Sequence, residues 1–397
     1  MTDRILTTHV GSLIRPQKFV DVLRAIENNE TLPPGTYENS LREAVDQIVR
    51  QQAEAGVDIV SDGEFGKSYN WAFYVHTRLS NIVTRPLTEE EGGDELATAG
   101  GGRDRKAFPE YYAEADKATG LAGRLGNRFI NRGGPIQYTG QKDLQRDIDN
   151  LKAALGNVKV EGAFLPVVAP ASAMPGGMSE YYPDEKSYLF ALAEALRVEY
   201  KTITDAGLYV QIDDAFLPFM QEKLVPPMSL GEYKQWAQLR IDALNHALVG
   251  VPIEKTRYHI CWGSWSGPHM FDVEMKDFID LLLQVNVGAY SFEAANVRHE
   301  HEWKVWRNVK LPPGKKILPG VISHATHVVE HPELIADRLI RFADVVGKEN
   351  VYASSDCGFA QSPLAQRVHP SIMWAKLRMM AEGARMASEH LWGKRAA

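Results

Sequence analysis

Eight short runs of β-branched and apolar residues, separated by segments with helical spacing, constrain this chain more than any other feature. They are Ile5–Ser12, Val57–Glu64, Phe164–Ser172, Leu208–Ala215, Arg257–Gly263, Ala289–Asn296, Lys316–Ser323 and Val351–Phe359. Helical periodicity covers Leu41–Ala55, Glu185–Ala206, Leu230–Val249, Met275–Val285, Glu333–Val346 and Pro370–His390. Such alternation predicts parallel strands, because a parallel connection needs a crossover long enough to hold a helix. Eight strands is the count of a closed sheet, so the expected class is α/β, a (β/α)8 TIM barrel in a single domain over residues 1–397.

Residues 65–141 break the alternation between the second and third runs. The middle of that stretch, TEEEGGDELATAGGGRDRKAF, is charged and glycine-rich, which predicts a long excursion over the barrel mouth. Its later part, RFINRGGPIQYTG, predicts a hairpin turning at Gly133 and Gly134. A lid and a plain surface insertion are both open readings.

Composition narrows the function classes. The chain is 44% hydrophobic and 24% charged, with a formal net charge of -7 and dispersed cations, so it offers no basic stripe for nucleic acid. The opening MTDRILTTHVGSL lacks a signal-peptide pattern, and no apolar stretch approaches the roughly 20 residues that cross a bilayer. Two cysteines are too few for a disulfide scaffold and suit a reducing compartment. A cytoplasmic protein with small-molecule partners is expected, and homo-oligomerisation is left open.

In a barrel of this kind, catalytic residues come from the C-terminal ends of strands. Polar residues gather there repeatedly: His9 and Ser12, Asp62 and Glu64, Ser172, Asp213 and Asp214, His259 and Cys261, Glu293, His324 and His327, Asp356 and Cys357. His259 and Cys261 are two apart on one strand, so both side chains project to the same face. With Cys357 and Glu293 they supply one nitrogen, two sulfurs and an oxygen, a donor set that zinc prefers. The alternative is a core histidine beside two buried thiols that pack as small hydrophobes.

Six motifs lend these residues a family likeness. TTHVGS (Thr7 to Ser12), SDGE (Ser61 to Glu64), VQIDDA (Val210 to Ala215), HIC (His259 to Cys261), SFEAA (Ser291 to Ala295) and SDCGF (Ser355 to Phe359) occur in this order. The chain resembles the catalytic barrel of cobalamin-independent methionine synthase, in a short form without the family's N-terminal barrel. The resemblance implies zinc ligation by His259, Cys261, Glu293 and Cys357. It further implies that Gly11 and Ser12 contact a substrate carboxylate, and that Glu64 and Asp213 hold its ammonium group. Asp214 stands where the family has Glu, and the proline that follows in the family is missing.

The expected activity is therefore zinc-dependent S-alkyl transfer, most simply methyl transfer from a folate-type or other donor to homocysteine or a similar thiol. A related reading is opening of an epoxide by a zinc-bound thiolate, as in epoxyalkane:coenzyme M transferase. A reading of another class is a non-catalytic barrel with structural zinc or a corrinoid-protein partner. His327 and Asp214 are the candidates for supplying a proton to the leaving group. Trp71, Tyr74, Trp262 and Trp265 offer a stacking wall for a flat donor. Arg298, His299 and His301 either bind an anionic group or begin a solvated helix.

Overall fold

In the computed structural model, residues 3–68, 70–88, 102–119, 127–174, 177–263, 266–364 and 366–393 are described. Their strands are β1 (Ile59–Ser61), β2 (Ile82–Pro86), β3 (Asn127–Asn131), β4 (Gly162–Val168), β5 (Gly177–Ser179), β6 (Tyr209–Asp213), β7 (Thr256–His259), β8 (Ala289–Phe292), β9 (Lys316–Ile322) and β10 (Ser354–Ser355). Their α-helices are α1 (Gln17–Glu27), α2 (Thr36–Glu54), α3 (Arg103–Ala107), α4 (Pro109–Thr119), α5 (Gln141–Leu155), α6 (Pro170–Ala173), α7 (Glu185–Asp205), α8 (Phe216–Leu224), α9 (Leu230–Ala247), α10 (Met275–Leu282), α11 (Pro332–Val346) and α12 (Pro370–Trp392).

Seven strands form one parallel sheet in the order β1-β4-β6-β7-β8-β9-β10. Residues 5–8 occupy the eighth place. On one side Thr8 N–H donates to Ala353 O at 2.8 Å and Ala353 N–H to Leu6 O at 2.8 Å. On the other, Asp58 and Ile59 N–H donate to Thr7 O at 3.1 and 3.0 Å. The fold is the expected (β/α)8 barrel, but its first strand is reduced to one parallel bridge, Thr7 to Ala353. A ladder does not continue there because the Thr7 N–H donates to the Asp58 carboxylate at 2.8 Å instead of to a neighbouring peptide.

The helices start where local chemistry starts them. Ser229 and Glu232 form a capping box at α9, Asp184 caps α7, and Pro332 and Pro370 occupy first positions of α11 and α12. α7 buries Leu189, Leu192, Leu196 and Ile203 at helical spacing, while Lys201 and Asp205 pair on its exposed side.

The 65–141 excursion forms more structure than its sequence promised, although residues 89–101 and 120–126 lie outside the described set. The expected hairpin at Gly133 and Gly134 does not fold back on itself. β3, before the turn, pairs antiparallel with β2, and Tyr138, after it, bridges Leu79. Both arms thus use the 79–86 stretch as partner, and β3 also pairs in parallel with β5, recruited from beyond β4. The root of the excursion is fixed by Arg78, which donates to Glu199 on α7 at 2.5 Å and to Asp147 on α5 at 2.7 Å. All three are buried. Among the described residues no helix is long and apolar enough to cross a membrane.

Arg78→Met leaves two buried carboxylates without their shared cation. It is expected to destabilise the chain by about 3–5 kcal/mol in urea unfolding. A loss under about 1 kcal/mol would contradict this assignment of the anchor.

Candidate metal centre

β7 ends at His259, and two residues further the chain carries Cys261 past the rim of the barrel. Cys357 arrives just beyond β10. The His259, Cys261 and Cys357 ligand atoms lie within 4.8 Å of one another and all three residues are buried. His259 Nδ1 faces Ser291 Oγ at 3.2 Å, while its buried Nε2 meets no hydrogen-bond partner among the described residues. A buried imidazole with an unpartnered nitrogen, beside two thiols, is costly unless something completes its coordination. The thiols differ sharply: their side-by-side placement pushes Cys261 well up and holds Cys357 well below the ordinary thiol range.

Glu293 follows β8 but stands outside that group of three. Its Oε1 accepts from the Trp262 main-chain N–H at 3.1 Å, and its Oε2 accepts from Asn296 Nδ2 at 2.7 Å. Burial, then the nearby charge of Asp356 and Cys357, pushes its carboxyl well up. Asp356 ties the two strand ends together, accepting from the Ala294 and Ala295 N–H groups at 2.8 Å each. Glu293 and Cys357 are therefore set by one carboxylate that belongs to neither.

A cavity of about 500 Å³ opens above the cluster, and Ser12, Glu64 and Asp213 line it together with His259, Cys261 and Cys357. Glu64 reaches it from a turn with φ +64, unusual for a side-chain-bearing residue, with its N–H held by Asp62 at 2.9 Å. The Glu64 carboxylate pairs with buried Lys67 at 3.1 Å. Asp213 accepts from Gln211 at 2.7 Å, and burial followed by the charge of Glu64 raises it well above the usual carboxyl range. Gly11 has φ +127, and a Cβ there would stand 2.4 Å from Pro166 Cγ and 3.0 Å from Glu64 Oε1, so only glycine fits.

The outer walls come from residues the sequence did not single out. Phe216 and Phe219 stand on α8, while Arg105, Tyr111, Tyr112 and Asp116 come from α3 and α4 of the excursion. The Tyr111 hydroxyl donates to Ser266 O, and Arg103 donates to Gln221, Glu222 O and Phe271 O, docking these helices on the barrel.

The sequence matches the catalytic domain of cobalamin-independent synthase over residues 177–385, more than half of the chain. The chain belongs to that family. It is 22% identical to 2-hydroxypropyl-CoM lyase of Xanthobacter autotrophicus, covering 98% of this chain and 96% of the relative. It is 23% identical to methionine synthase of Sulfolobus acidocaldarius, covering 98% and 95%. The solved B12-independent methionine synthase from Shewanella, in complex with selenomethionine, shares the fold at TM-score 0.71 and 19% identity, covering 98% and 100%. The matched segment of this synthase-family chain includes Asp213, His259, Cys261, Glu293 and Cys357, whereas Gly11, Ser12 and Glu64 lie before it.

Neither of the residues expected to supply protons in this synthase-family barrel lines the cavity. Asp214 is buried with its oxygens accepting from Ser172 at 2.6 Å and Tyr258 at 2.8 Å, on the side of the strand opposite Asp213. His327 is exposed on the loop after β9. The imidazole nearer the cluster is His324, buried, with neither nitrogen partnered among the described residues and pulled down to about 4 by burial. The sequence held the signal, since His324 stands two residues beyond β9 and His327 five. Of the expected stacking wall only Trp71 lines the cavity; Tyr74 and Trp262 are buried elsewhere, and Trp265 lies outside the described residues. Arg298 and His301 are exposed, whereas His299 is buried.

Replacing Cys261 or Cys357 by Ser is expected to abolish metal retention in elemental analysis, while His327→Ala and Asp214→Asn retain it. Full retention in either Ser variant would remove that cysteine from the site. Asp214 also gives a pH test. Its carboxyl is raised to about 6 by burial, so its stabilising contribution is present below the unfolded value and lost as pH rises through about 6. The stability of Asp214→Asn relative to wild type should therefore rise between about pH 4 and pH 7, and a flat difference would contradict the assignment.

Proposed function

We propose that the chain is a zinc-dependent thiol S-alkyltransferase, in which residues 1–397 act as one catalytic unit. The observation that carries this reading is the cluster itself: one unpartnered imidazole nitrogen and two thiols, buried at the floor of a cavity large enough for a small molecule. Its donor set suits zinc, with His259, Cys261 and Cys357 as ligands and Glu293 as the fourth. Bound zinc would supply a positive charge that keeps a substrate thiol deprotonated near neutral pH, where a free thiol of pKa about 8.5 is mostly protonated.

The chain's own residues do the rest. His259, Cys261 and Cys357 fix where the substrate sulfur sits, and Ser12, Glu64 and Asp213 surround the remainder of the acceptor. Trp71, Phe216, Phe219 and Tyr111 enclose the alkyl donor and keep water from the reacting carbon. The sulfur attacks that carbon, an S–C bond forms, and the bond from carbon to the leaving nitrogen or oxygen breaks. The thiol proton goes to solvent on binding, and the leaving group takes one up on departure. That proton comes from solvent, because His324, beside Cys357 and His259, is held neutral by burial and has none to give.

The leading acceptor is homocysteine or a similar amino-acid thiol, with a methyl group transferred from a folate-type or other small donor. A second reading has its own support. Arg367 lines the same cavity, close enough to Cys357 and Cys261 to feel their charge, and offers a guanidinium to a thiol with an anionic tail. That arrangement suits a sulfonate thiol opening an epoxide.

Proton release tests the reading and separates its two forms. Homocysteine or 2-mercaptoethanesulfonate, added to zinc-loaded protein at about pH 7, should release close to one proton per site for the preferred acceptor. Release by neither thiol would exclude both acceptors. Tyr111→Ala should leave that release unchanged but raise KM for the alkyl donor about tenfold, the equivalent of about 1.4 kcal/mol. An unchanged KM would take α4 out of the donor site.

A further inference from the structure

His299 is the member of the Arg298, His299, His301 cluster that the activity leaves without a role, and its surroundings are unusually complete. The ring is buried; Nδ1 lies 3.0 Å from Glu302 Oε2 and Nε2 lies 3.0 Å from Asp272 Oδ2. Ionised carboxylate oxygens only accept, so each ring nitrogen must donate and the ring carries both protons. Asp272 accepts in addition from His269 Nδ1 at 2.9 Å, and Glu302 from the Met275 N–H at 2.7 Å. The ring cannot swing without breaking two charge-assisted hydrogen bonds in a buried setting.

Two routes lead from His299 to one carboxylate, one from the ring and one from the main chain. The His299 ring stacks on Trp262 with centroids 3.9 Å apart and planes 22° apart, and the Trp262 indole is tied on its other edge to Val273 O at 2.7 Å. The main-chain N–H of that tryptophan donates to Glu293 Oε1. Separately, the His299 main-chain N–H donates to Asn296 Oδ1 at 3.0 Å, and Asn296 Nδ2 donates to Glu293 Oε2. Each oxygen of Glu293 is held by a group that His299 holds, and Trp262 is the chain neighbour of Cys261.

We propose that His299 is a positioning residue for the metal centre, orienting Glu293 and the Cys261 strand end through Trp262 and Asn296 without touching the reacting atoms. The inference rests on the reading of His259, Cys261, Glu293 and Cys357 as metal ligands. Neighbours that hold ligating groups in place tune affinity and geometry together, and their loss typically costs roughly 10- to 100-fold in metal affinity.

The test is cobalt(II) titration of the full-length apoprotein, read by absorption spectroscopy, in wild type, His299→Gln and Glu302→Gln. Wild type should take up one equivalent with sulfur-to-cobalt charge-transfer bands. His299→Gln should keep those bands, because both cysteines remain, but shift the ligand-field bands and bind cobalt roughly 10- to 100-fold more weakly. A folded His299→Gln protein with the wild-type spectrum and affinity would overturn the proposal while leaving the metal site intact. Should His299→Gln fail to fold, Glu302→Gln keeps the ring and its stack but removes one charge; it should shift the same bands in the same direction, and an unchanged spectrum would overturn the proposal. Wild-type protein that takes up no cobalt would overturn the metal reading and this inference with it.

Discussion

The Thr7 peptide carries the closure of the barrel, and the site depends on that closure. β1 and β10 are the two edges of the parallel sheet, and what joins them is residues 5–8, bonded to Ala353 on one side and to Asp58 and Ile59 on the other. An open edge would leave unpaired peptide groups. Closure instead brings the loops after β1, β6, β7, β8 and β10 around one axis. Glu64, Asp213, His259, Cys261 and Cys357 come from distant parts of the chain and line one cavity because the ring is complete.

Within that ring, the site is assembled from charges that burial makes expensive. Asp356 is pushed up to about 6 by burial, yet two main-chain N–H groups from the Glu293 loop meet it and draw it back down. Asp62 is pushed up to about 7 for the same first reason, burial, with one N–H from Glu64 opposing it. These carboxyls hold the loops after β8 and β1. They are not the groups that face the cavity. The division of labour is between residues that touch a ligand and buried carboxyls that fix the peptides those residues ride on.

The sequence made the barrel legible because seven strands are apolar, short and regularly spaced, with segments of helical periodicity between them. It also placed His259, Cys261 and Cys357 together, since residues two apart on a strand share a face and the only other cysteine ends the last strand. The misses have physical causes. Ile5–Ser12 reads as a strand, but Asp58 takes the Thr7 N–H and ends the ladder. Asp214 reads as a site residue beside Asp213, yet alternation along β6 turns it toward Ser172 and Tyr258. Tyr111 was invisible because its place in the cavity depends on how the excursion docks, which no local periodicity encodes. For His299 an anion-binding group and a solvated helix start were both open, and the approach of Asp272 and Trp262 from another loop buries it.

The central claim is that His259, Cys261, Cys357 and Glu293 hold a metal that accepts a substrate sulfur. X-ray absorption at the zinc edge, on the protein with and without the acceptor thiol, tests it most directly. The account predicts a shell of two sulfurs with nitrogen and oxygen in the free protein, gaining a third sulfur at the expense of oxygen when the thiol is added. A shell unchanged by thiol would mark the metal as structural. Protein without zinc would return both cysteines to the core.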